Sequence, residues 1–159
     1  MDVRWLVLLG AACGGGGANV GRVGVDWTGN DIAIDALADP DVQGVICHVA
    51  YFDRSFIDRV GQGNVFEDPS WSALDCDAVG PIVVGDVATG PGGEEIFREG
   101  RSLIWKSLRV TRVYDAANRS LVYLAHAREL HQGSGKMSMS VVPLTGPDVT
   151  WARGGPPGR

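Results

Sequence analysis

The chain has 159 residues, 45% of them apolar and 21% charged, with a formal net charge of −5. That length supports one domain with one modest core. The acidic balance excludes the clustered Lys and Arg that a phosphate backbone requires, so no nucleic-acid partner is expected. The longest apolar run, Trp5 to Cys13, falls short of the about 20 residues a helix needs to cross a bilayer.

Arg4, a short apolar run and closing small residues have the layout of an export signal over residues 1–12. Leu9-Gly10-Ala11-Ala12-Cys13 resembles the lipobox of bacterial lipoproteins, where the cysteine becomes the lipidated first residue. Lipidated Cys13 and a Gly-rich tether then occupy 13–19. The competing readings are an ordinary cleaved export signal and a first strand, Trp5 to Leu9, buried in a cytosolic protein. Besides Cys13 the chain has Cys47 and Cys76. If Cys13 carries lipid, those two can make one disulfide, which persists outside the cytoplasm. Closing that loop would contribute roughly 3–4 kcal/mol through loop-closure entropy. Two reduced, buried cysteines are the alternative. No Cys-x-x-Cys is present, and the spacing fits no zinc template.

From there on strand signals dominate. Val20 to Trp27 reads as a first strand, ended by the turn Thr28-Gly29-Asn30-Asp31. Asp31 to Leu37 alternates, with Ile32, Ile34 and Ala36 on one side and Ala33, Asp35 and Leu37 on the other. Asp39-Pro40-Asp41 breaks it with ordinary turn chemistry. Gly44 to Phe52 is β-branched and aromatic, hence a third strand. Arg54 to Val60 reads as a short helix. Gly61 to Gly80 reads as a loop, with a second short helix at Ser70 to Leu74. Pro81 to Val84 is a short strand. Ser102 to Tyr114 and Ser120 to Leu130 form a hairpin through Asp115-Ala116-Ala117-Asn118. In its first arm Ile104, Lys106, Leu108, Val110, Arg112 and Tyr114 share a side. Met137 to Leu144 is the last strand, and the Gly- and Pro-rich residues 145–159 read as a disordered tail. The expected fold is mainly β over residues 20–144: a single antiparallel sandwich or partly open barrel with one or two short helices.

Motifs for chemistry are sparse. Gly133-Ser134-Gly135-Lys136 is not a Walker A loop, because Leu130 stands where that loop needs Gly and Met137 where it needs Ser or Thr. Asp31, Asp35, Asp39 and Asp41 lack the spacing of a calcium loop. His48, His126 and His131 form no close ligand pair, and no Gly-x-Ser-x-Gly elbow occurs. No metal and no cofactor is expected. One cluster has more content: Glu67, Asp68 and Ser70, just before Cys76, and Lys106 and Arg112 on one side of the hairpin arm. An acidic loop facing a basic strand makes either a structural salt bridge or a binding site.

The segments Asp39-Pro40-Asp41-Val42, Val45-Ile46-Cys47, Glu67-Asp68 with Ser70, Cys76 with Val79-Gly80-Pro81-Ile82, Leu103 to Leu108, Arg112 with Tyr114-Asp115, Leu121 to Ala125, and Gly133-Ser134 with Lys136, Ser138, Ser140, Val142 and Pro143 together resemble the CreA family of small exported bacterial proteins. The resemblance runs in order from about residue 21 to 144. It implies a periplasmic protein with paired cysteines at Cys47 and Cys76, and it implies no particular reaction. Gly135 stands where the family usually has proline. The resulting expectation is a non-catalytic envelope module that binds a protein or small ligand and touches the membrane only through a lipid anchor. The alternatives are an enzyme using Glu67, Asp68, Ser70, Lys106 and Arg112, or a thiol-redox protein using Cys47 and Cys76.

Overall fold

The structure is a computed structural model and describes residues 17–25, 27, 31–53, 72–97, 108–127 and 137–155. Alternation at period two is the pattern of strands that bury one face. Among the described residues it yields nine strands: β1 (Ala18–Gly24), β2 (Asp31–Ala38), β3 (Val42–Asp53), β4 (Ser72–Val84), β5 (Glu94–Glu95), β6 (Leu108–Asp115), β7 (Ser120–Ala127), β8 (Met137–Pro143) and β9 (Val149–Trp151). They form two sheets, one in the order β1-β2-β3-β4-β9 and one in the order β5-β6-β7-β8. Neither sheet closes on itself. The fold is mainly β, and all pairings are antiparallel except β4 with β9.

Each sheet turns one face inward, and the two faces share one core. Ala33 and Leu37 of β2, Val45, Cys47 and Val49 of β3 and Leu74 and Cys76 of β4 come from the first sheet. Leu108, Val110 and Tyr114 of β6 and Leu121, Tyr123 and Ala125 of β7 come from the second. So Ala33, Asp35 and Leu37 are the inner side of β2, and Leu108 to Tyr114 at even positions the inner side of β6. The hairpin turns where the sequence places it, with Asp115 opposite Ser120. Asp115 caps it by accepting the backbone N–H groups of Ala117 (3.0 Å) and Asn118 (3.1 Å).

Three elements differ from the sequence reading. Among the described residues there is no helix. Ser72 to Leu74 open β4 instead of closing a helix, because Leu74 and Cys76 point inward while Asp75 and Asp77 point out, a strand period. The other expected helix, 54–60, lies outside the described residues. Secondly, β4 runs straight through Gly80-Pro81, which reads as a break. The ladder with β3 jumps there, from Val45↔Ala78 to Gln43↔Val83. Pro81, which has no N–H to donate, therefore sits in a bulge, where proline is tolerated. Gly44 makes the bulge possible: its φ is +83°, and a Cβ there would lie 2.2 Å from the Pro81 carbonyl oxygen. Thirdly, part of the expected tail is a strand. β9 pairs in parallel with Ile82–Val84, and Trp151 meets Tyr114 edge to face with ring centroids 5.6 Å apart. One large aromatic ring anchors a segment whose composition reads as unstructured. At the other end, Ala18 and Asn19, read as tether, already belong to β1.

Candidate functional site

Among the described residues the densest polar cluster is built on the Asp39-Pro40-Asp41 turn between β2 and β3. Asp39 Oδ1 accepts the backbone N–H of Asp41 (2.9 Å) and of Val42 (3.1 Å), the side-chain turn expected of Asp here. The same carboxylate does more. Its Oδ1 also accepts from Arg112 Nη1, and its Oδ2 accepts the hydroxyl of Tyr123 at 2.7 Å. Arg112 Nη2 donates to Asp41 Oδ2 (3.1 Å) and to Glu94 Oε2 (2.9 Å). The Asp39 and Arg112 side chains are 0% and 1% exposed, while Asp41 and Glu94 are 34% and 40% exposed. The cluster thus runs from the core to the rim. Asp39 belongs to the first sheet; Arg112 and Tyr123 sit on β6 and β7 of the second. A charge this deep persists only when paired and hydrogen-bonded.

Electrostatics follow the geometry. Burial pulls the Arg112 pKa down, but the charge and hydrogen bonds of Asp39, with those of Asp41, more than offset it and raise it above its ordinary value. Burial, then the charge and hydrogen bond of Asp39, push the Tyr123 phenol well above its usual range. Both groups hold their protons at any physiological pH. A second buried carboxylate, Asp35, accepts from the Tyr51 hydroxyl (2.9 Å) and from Asn19 Nδ2 (3.0 Å).

Cys47 and Cys76 are bonded to each other and face one another across the β3–β4 ladder. Both are buried. Beside them β8 closes over β4: the Leu74 N–H donates to Ser138 Oγ (2.9 Å) and the Cys76 N–H to Ser140 Oγ (3.0 Å).

Of the five residues singled out as a binding or catalytic set, the described residues include only Arg112. Glu67, Asp68, Ser70 and Lys106 lie outside them, as do Cys13, His131 and the Gly133–Lys136 loop. The sequence reading aims Arg112 at the acidic loop of Glu67 and Asp68; the carboxylates around it in the described residues are Asp39, Asp41 and Glu94. Tyr123 and Glu94 have no sequence signal of their own. Arg112 has one, a charge between Val110 and Tyr114 on the inward side of a strand, where a carboxylate must come to meet it. Among the described residues no group of three or more His, Cys, Asp or Glu side chains is placed to hold a metal ion. No described helix is long and apolar enough to cross a membrane.

Fold and site define a class: a small protein of two β-sheets, stapled by a cross-strand disulfide and pinned between the sheets by a buried arginine. The CreA protein family matches residues 20–147. Over 115 residues the chain is 40% identical to Protein CreA of Escherichia coli strain K12, covering 71% of this chain and 72% of that one. The figures are the same for Protein CreA of Escherichia coli O157:H7. The chain belongs to the CreA family. No solved structure matches it.

Proposed function

We propose that this CreA-family protein is exported and works in the bacterial periplasm as a non-catalytic binding or accessory module, tethered by lipid on Cys13. The disulfide between Cys47 and Cys76 carries the reading, because such a bond persists in an oxidising compartment and not in the cytosol. The lipobox-like Leu9 to Cys13 supports the tether. The non-catalytic reading is supported by Arg112, whose guanidinium is engaged by three carboxylates of the fold instead of lying open to a substrate. A thiol-redox role draws no support from the cysteines, since exchange needs an attacking thiolate to reach a sulfur and both residues are buried. The finer architecture is best read as a sandwich of the two sheets, β4 and β8 meeting along one side.

The test is the intact mass of the protein recovered from its native membrane fraction, before and after reduction with thiol alkylation. The expected result is an acylated chain beginning at Cys13, with two thiols appearing only on reduction. Envelope partners are then sought by crosslinking. A full-length chain with three free thiols overturns export, tether and disulfide together.

A further inference from the structure

We propose that the outer face of the second sheet carries a binding site for a soft monovalent cation, Cu(I) or Ag(I), formed by His126, Met137 and Met139. The sequence Met137-Ser138-Met139-Ser140 splits across β8. Its serines point inward and are clamped by the Leu74 and Cys76 amides. Its methionines point outward and are 69% and 62% exposed, so they fill no core. Clamping the inner face fixes the strand and aims both thioethers to the same side. His126 of β7 is the register partner of Met137, which places all three residues on one face. Cross-strand partners have Cβ atoms about 5 Å apart, and residues two apart on a strand lie roughly 7 Å apart. Unbranched methionine side chains span such distances readily.

The donor set selects the ion. Two thioethers with one imidazole favour a soft, singly charged metal over Zn²⁺, Mg²⁺ or Ca²⁺. Both ring nitrogens of His126 have polar neighbours. Its Nδ1 faces the Ala127 carbonyl oxygen at 2.9 Å, which only accepts, so Nδ1 carries the hydrogen. Nε2 lies 3.0 Å from the Thr111 hydroxyl oxygen, and in the neutral Nδ1–H tautomer it accepts from that hydroxyl. Binding turns the ring from β6 towards β8, so that the contacts of Nε2 with the Thr111 hydroxyl and of Nδ1 with the Ala127 carbonyl are exchanged for the metal and for water. Across from His126 lies Arg109, a like charge for any cation, but Glu95 stands 3.6 Å from its guanidinium. A single positive charge is thus tolerated better than a double one.

The experiment uses the full chain, its Cys13 thiol blocked by alkylation so that no thiolate competes. Protein labelled with ¹³C at the methionine methyls is titrated with silver nitrate and, separately, with Cu(I) buffered by bicinchoninate. One equivalent should shift the methyl resonances of Met137 and Met139 together. The double variant Met137→Leu, Met139→Leu should weaken Cu(I) binding by roughly tenfold or more, and His126→Gln likewise, with unchanged thermal melting. Unmoved methionine methyls at saturation overturn the proposal, and so does a double variant that binds as tightly as the parent. The methyl shifts are read on the parent protein, so the test stands even if a variant folds poorly.

Discussion

At the scale of single residues the fold depends most on Asp39, which serves a turn, an arginine and a tyrosine with one carboxylate. Removing Arg112 leaves the Asp39 carboxylate charged and buried without its guanidinium. Arg112→Ala should therefore cost about 3–5 kcal/mol in urea unfolding. Arg112→Lys should recover little of it, because one ammonium cannot reproduce a planar fork reaching three carboxylates. Tyr123→Phe should cost less, about 1–3 kcal/mol, since Oδ2 of Asp39 is left without its donor. The same variant has a pH signature. The folded-state pKa of Tyr123 is raised, so its contribution is complete below the ordinary tyrosine pKa of about 10 and is lost as pH rises beyond it. Unfolding measured between about pH 9 and pH 11 should show the parent losing more stability than Tyr123→Phe, whose profile should be flatter. Equal slopes for the two proteins would remove Tyr123 from the account.

At the scale of elements β4 does most of the joining. It pairs with β3 along most of its length, turns its last three residues to β9, and lends its Leu74 and Cys76 amides to the serines of β8. Its continuity depends on the bulge at Gly44. Gly44→Ala forces a side chain into positive φ and against the Pro81 carbonyl, so thermal melting should reveal a loss of about 1–3 kcal/mol. What was legible in the sequence follows from the same local logic. The hairpin was readable because Asp115 to Asn118 is turn chemistry between two β-rich arms. The inner face of β2 was readable as one of two alternating sets. The end of β4 was readable as the short strand Pro81 to Val84, but residues 72–80 were hidden because Asp75, Asp77 and Gly80 carry breaker propensity, while Gly44, which accommodates Gly80-Pro81, lies far back in the chain. Arg112 itself was readable as a candidate, but its partner Asp39 was hidden for a like reason. Asp39 satisfies a local turn so fully that nothing in its neighbourhood asks for a distant guanidinium.

At the scale of the whole molecule the two sheets are coupled through a shared core, the Asp39–Arg112 pair and the short strand β9. β9 has only three residues, yet it covers the free end of β4 and brings Trp151 onto Tyr114. A chain ended after Gly146 should lose about 2–3 kcal/mol, the scale of uncovering one large side chain. Denaturation followed by tryptophan fluorescence and by far-UV circular dichroism would measure it. The two probes should report coincident transitions in the parent, as expected when the sheets unfold as one cooperative unit. A parent that unfolds in two separated steps would show the sheets to be independent.

The disulfide has a consequence for how the first sheet comes to be right. Cys47 and Cys76 are directly opposed, and in a strand every one-residue slip carries a side chain to the other face. A β3–β4 pairing misaligned by one position would hold the two thiols on opposite sides of the sheet, where no bond can form. If oxidation follows the pairing of β3 with β4, it acts as a proofreader: a chain misaligned by one residue stays reduced and free to re-sort, and the correctly threaded ladder is sealed.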